Sequence, residues 1–136
     1  MSVILPFLAA QAANAVAPTA SPPPPASADW AALDPIPYRQ PPHISQAMDA
    51  FVANEIGSGR CKIARPADGH YVVTLDVIVQ VTGDGVIHRA VPRAIDCPTV
   101  EQYGVGLITG FARANIQPGA APDHWYRTTM VFDWQA

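Results

Sequence analysis

The chain reads as a small α+β domain, with about three antiparallel strands packed on two helices. Three observations predict it. Tyr71 to Thr82 alternates with period two, and Trp125 to Trp134 does the same. Ile44 to Ile56 and Thr99 to Ala114 instead repeat their apolar residues at helical spacing. The resulting order is helix, two strands, helix, strand, and the 136 residues allow one domain of ordinary size.

The first segment, Met1 to Ala17, reads MSVILPFLAAQAANAVA. A short apolar run followed by small residues with repeated A-x-A spacing is the pattern of a cleaved signal peptide. The run is too short to cross about 30 Å of hydrocarbon as a helix. No Lys or Arg precedes it, so a longer anchor truncated at its start is the alternative. From Pro18 to Pro42 nine of the fifteen prolines occur among Ala, Ser, Asp and Gln. Such a tract lacks backbone donors, favours extended polyproline II and predicts a disordered tether, reaching about 75 Å if fully stretched. Trp30, Leu33, Ile36 and Tyr38 interrupt it as residues able to dock on the domain or a partner. The folded domain is therefore expected to span 43–136.

Within it, Ile44, Met48, Phe51, Val52 and Ile56 form the apolar stripe of a first helix, which Pro41 and Pro42 delimit and Gly57 ends. In the first strand, Tyr71, Val73, Leu75, Val77, Val79 and Val81 share one face, and Val72, Thr74, Asp76, Ile78, Gln80 and Thr82 the other. Gly83-Asp84-Gly85 supplies a hairpin turn, and Val86 to Pro92 pairs back until Pro92 removes a donor. Pro98-Thr99 opens the second helix, with Thr99 and Gln102 at capping-box spacing. Its glycines, Gly104, Gly106 and Gly110, allow close approach to the sheet, and Pro118-Gly119 ends it. In the closing strand Tyr126, Thr128, Met130, Phe132 and Trp134 share a face.

Several chemistries find little footing. Eight basic and eleven acidic residues give a net charge of −3, which lacks the basic footprint of a nucleic-acid binder. His43, His70, His88 and His124 form no HxH or HExxH pair, so no metal is expected. No Lys-Ser/Thr follows the glycines to make a phosphate loop. No cofactor is assigned, and the chain is not read as an enzyme. Cys61 and Cys97, with no third thiol and no zinc-ligand spacing, read either as two buried thiols or as a disulfide. The pair is assigned as a disulfide closing a loop worth about 4 kcal/mol, in keeping with an oxidising compartment. Asp76 is expected to pair across strands with Arg89 or Arg127. Arg60, Lys62 and Arg65 make one basic loop.

The hairpin turn at Asp84-Gly85-Val86, the helix from Thr99 to Ala114, the corner Ile116-Gln117-Pro118 and the strand Thr128 to Trp134 ending in F-x-W together carry a resemblance. This part of the chain resembles the C-terminal domain of the TonB energy-transducer family, which follows a proline-rich periplasmic spacer. It departs from that pattern at Arg93 to Pro98, and no segment of it reads as the family's membrane anchor. The resemblance implies a periplasmic, exported protein of the Gram-negative envelope with a transport role, whose partner is a protein: a segment of an outer-membrane transporter, or a second copy of the chain.

The expected mode of binding is strand addition at the last strand, taken to lie at the sheet edge. The expected binding residues are Tyr126, Arg127, Thr128, Thr129, Val131 and Asp133, with the outward side chains of Arg127, Thr129 and Val131 biasing peptide choice. The alternative is an envelope accessory or structural protein of the same fold, self-associating or contacting cell-wall polymer through Arg60, Lys62 and Arg65.

Overall fold

The computed structural model describes residues 22–136. The signal segment expected at 1–17, and the start of the tether at 18–21, lie outside the described residues. A 3-10 helix at Ser27–Ala32 is followed by β1 (Asp34–Pro35), α1 (Gln46–Gly57), β2 (His70–Val81), β3 (Ile87–Pro92), α2 (Pro98–Ala112) and β4 (Trp125–Gln135). The fold is mixed α+β with a four-stranded sheet in the order β1-β4-β2-β3. The β2–β3 and β2–β4 pairs are antiparallel, and β1 joins β4 in parallel. Among the described residues no helix is long and apolar enough to cross a membrane.

Both helices cover the same face of the sheet. Val73, Leu75, Val77, Val79 and Val81 of β2 meet Val52 and Ile56 of α1 and Val100, Ile108 and Ala112 of α2, with Met130 and Phe132 of β4 completing the core. Gly104 explains why α2 lies so close: a Cβ there would sit 2.3 Å from Leu75 Cδ2 and 2.6 Å from Met130 Cε. Gly106 and Gly110 meet nothing and play no such part. Phe51 and Tyr103 stack at 4.0 Å to join the two helices. The hairpin turns as expected, with Gly85 at φ +77° and its N–H donating to the Thr82 carbonyl at 2.9 Å.

Two local expectations are corrected. Helix α2 has no Thr99–Gln102 capping box. Cys97 is its N-cap, and the Glu101 carboxylate accepts the N–H groups of Ile95 and Cys97 at 3.1 and 3.2 Å. The left-handed residue after α1 is Gly59, at φ +79°, and Gly57 remains helical. Cys61 and Cys97 form a disulfide across 36 residues. It pins the loop after α1 to the start of α2, where the Lys62 N–H also donates to the Asp96 carbonyl.

The larger correction concerns the proline-rich segment. From Ser27 onward it is no free tether, and the ordered fold does not begin at His43. Trp30 and Ile36 are each only 6% exposed. Trp30 joins Ile78 and Trp125 in a second apolar cluster on the sheet face away from the helices. The second face of β2 is therefore polar only in its first half: Val72 and Thr74 are exposed, whereas Ile78 and Gln80 are buried.

A proline-rich strand of chain is rich in carbonyl acceptors and poor in N–H donors, whereas arginine offers donors only. The sheet uses that complementarity three times. Arg89 donates to the Pro22 carbonyl, Arg93 to that of Ser27 and Arg127 to that of Leu33, at 3.1, 3.1 and 2.7 Å. The Arg93 guanidinium also lies over the Trp30 ring at 4.8 Å, and that of Arg89 over Trp125 at 5.0 Å. Farther along, the Arg39 N–H bonds the Asn115 carbonyl, the Gln117 N–H bonds that of Pro37, and Tyr38 bridges Ile116.

Candidate functional site

The sequence places the binding surface on β4, and the structure divides that strand into a closed end and an open middle. Successive residues of a strand turn their N–H and C=O groups to opposite sides. The Arg127 carbonyl accepts the Ile36 N–H at 3.0 Å, on the side away from β2. The Asp133 N–H points the same way and donates to Asp49 Oδ1 of α1 at 3.0 Å. By the same alternation, Thr129 and Val131 also face away from β2. Their N–H and C=O groups have no partner among the described residues.

This corrects the expectation that all of Tyr126 to Asp133 is edge. Asp34 and Pro35 pair with Tyr126 and Arg127, and Asp49 closes the far end. The open interval is centred on Thr129 and Val131. Tyr126 is buried in the core, and its hydroxyl accepts the Ala121 N–H at 3.0 Å, so its side chain faces away from any strand partner. Thr128 is half-buried on the helix side, near the Tyr38 hydroxyl. Burial raises the pKa of that phenol, with the nearby Thr128 side chain a smaller opposing influence.

Arg127, Thr129, Val131 and Asp133 share the outer face, and Val131 is 45% exposed. Opposite Thr129 in the β2 register stands Asp76. Its carboxylate accepts the Thr129 hydroxyl at 2.6 Å and faces Arg93 Nε at 3.2 Å. Asp76 therefore pairs with Arg93, just beyond β3, and with neither Arg89 nor Arg127. Above these side chains a pocket of about 200 Å³ opens between Trp30 and Ala31 on one wall and Asp76, Arg93, Arg127 and Thr129 on the other. At the other end of the face, Asp133 accepts from His70 at 2.6 Å, and the carboxylate raises the histidine pKa.

The remaining candidates are spread apart. Arg60 faces the buried Glu55 at 3.5 Å, while Lys62 and Arg65 are solvent-exposed. Trp125 packs on Trp30 and Ile78, and Trp134 stacks on Tyr71 at 4.9 Å. His124 lies 3.6 Å from Asp34, and His43 and His88 are exposed. Sequence reasoning missed Asp49 and the Arg93–Trp30 contact, although it marks Trp30 as a residue able to dock on the domain. Asp49 lies 84 residues from the amide it binds, a separation that no local pattern reveals. Trp30 did carry a signal, as a large apolar residue stranded among prolines. No family model, no curated protein and no solved structure matches this chain.

Proposed function

We propose that this domain binds an extended protein segment by strand addition at the open interval of β4. The observation that carries this reading is the pair of unpartnered main-chain groups at Thr129 and Val131, on a strand already shown to accept a parallel neighbour at Tyr126 and Arg127. An incoming segment would continue the sheet where β1 stops, with main-chain hydrogen bonds supplying affinity. Exposed Val131 and neighbouring Val72, 53% exposed, offer apolar contact on the outer face. The setting that fits is an oxidising one outside the cytoplasm, the periplasm of a Gram-negative envelope, in line with the disulfide. The partner class that fits the resemblance to the TonB C-terminal domain is an exposed segment of an outer-membrane transporter. Homodimerisation is the competing use of the same edge.

The test is an amide chemical-shift titration of the full chain with extended transporter-derived peptides. Shifts centred on Thr129 to Val131 are expected. Val131→Pro removes an outward donor without touching the β2 ladder, so it should abolish those shifts while the β2 amides stay dispersed. Binding that survives in a folded Val131→Pro variant sinks the strand-addition reading. A concentration-dependent rise in mass by sedimentation, lost in the same variant, assigns the edge to a second copy instead.

A further inference from the structure

The pocket beside Thr129 carries an unbalanced charge. Asp76 is neutralised by Arg93 at 3.2 Å and also accepts a hydrogen bond from the Thr129 hydroxyl. Arg127 spends only its Nε, on the Leu33 carbonyl. Among the described residues its guanidinium has no carboxylate partner. Two guanidinium groups against one carboxylate leave the pocket one positive charge in excess, partly enclosed by Trp30 and Ala31. A cation held by a main-chain carbonyl on one side keeps its remaining donors directed and available for a bidentate acceptor.

The position of the pocket matters as much as its charge. Neighbouring strands lie about 4.8 Å apart, and side chains on one face recur every second residue. A segment added at Thr129 and Val131 therefore sets one side chain at the mouth of this pocket. It sets another, two residues away, against Val131. We propose that the pocket reads a carboxylate side chain on the bound segment, so that the preferred partner is an extended peptide with Asp or Glu facing Thr129 and an apolar residue two positions away. This specificity rests on the strand-addition reading, and it makes the docked arm part of the site, because Trp30 and Ala31 form one wall.

The test uses short peptides of one sequence, acetylated and amidated so that only the side chain differs, carrying Glu, Gln or Lys at the position facing Thr129. Each is titrated into the full chain and followed by amide shifts. The Glu peptide is expected to bind about tenfold more tightly than the Gln peptide, the range of a charge-assisted hydrogen bond in a partly enclosed site. Lys should bind more weakly than either. Arg127→Gln should bring the Glu and Gln peptides to equal affinity, and added salt should narrow the gap between them in the wild-type chain. Equal affinity for Glu and Gln, with edge shifts intact, overturns the pocket and leaves strand addition standing. Absence of edge shifts with every peptide overturns strand addition and the pocket with it.

Discussion

Asp49 Oδ1 accepts the main-chain N–H of Asp133 at 3.0 Å, so a helix side chain stands where the next strand of the sheet would place a carbonyl. This contact ends the open edge of β4. Asp49→Ala should return that amide to solvent and accelerate its hydrogen exchange, with a stability loss of about 1 kcal/mol. It should also extend peptide-induced shifts from Val131 onto Asp133. An Asp133 amide that stays as protected as before would show that something other than Asp49 closes this end.

The β-structure was the legible part of this fold, because β2 is long and one of its faces is apolar throughout, from Tyr71 to Val81. Its second face could not be read the same way. Ile78 and Gln80 are covered by a segment whose proline content argues for disorder, and no periodicity marks the docking of Trp30. The arm is held by arginine donors that meet main-chain carbonyls, and carbonyls leave no trace in sequence. The sequence reads an open edge along all of Tyr126 to Asp133, and the structure confines the unpaired stretch of β4 to the interval around Thr129 and Val131. The two closures, Pro35 against Arg127 and Asp49 against Asp133, join residues far apart in the chain.

Trp30 anchors the arm, and its loss should be seen there first. Its ring packs on Ile78 and Trp125 beneath the Arg93 guanidinium, and its Nε1–H donates to the Pro25 carbonyl at 3.0 Å. Trp30→Ala should cost about 3 kcal/mol and expose the segment from Ser27 to Ala32 to proteolysis, while α1, α2 and the hairpin remain folded. Limited proteolysis with mass mapping reads this directly. Cleavage that begins in the hairpin turn instead would mean that the arm is not the least stable unit.

Gly104 and Gly106 make a matched pair two residues apart on α2. A Cβ at Gly104 meets the ends of Leu75 and Met130 in a fully packed layer, whereas one at Gly106 meets nothing. Gly106→Ala should stabilise by about 0.5–1 kcal/mol through helix propensity. Gly104→Ala should destabilise by about 1–3 kcal/mol, because overpacking outweighs that gain. Urea unfolding of both variants decides it, and a stabilising Gly104→Ala would mean that the α2–sheet spacing is slack.

Reduction of Cys61–Cys97 should lower stability by as much as about 4 kcal/mol in the chain-entropy account, since the bond closes 36 residues. The loss should be absent in a Cys61→Ala/Cys97→Ala double variant, which starts lower and ignores reductant. Denaturant midpoints with and without dithiothreitol make the comparison. Equal midpoints in the wild-type chain would place the constraint in the Glu101 contacts around Cys97 rather than in the disulfide.

His70 and Asp133 set a pH dependence at the closed end of the edge. The Asp133 carboxylate holds the His70 pKa above its ordinary value by hydrogen bond and charge. A histidine whose pKa is raised by folding stabilises the fold while it is protonated in both states, and the contribution is fully present below its unfolded value of about 6.5. It fades as pH rises through the higher folded value. The wild-type chain should therefore be more stable than His70→Gln near pH 5 and lose that advantage towards pH 8, with the two unfolding midpoints converging. The pair is solvent-exposed, so the difference should be small and should shrink with salt. A His70 ring titration by NMR gives the direction independently: a midpoint below that of free histidine would contradict the pairing, whatever the unfolding curves show.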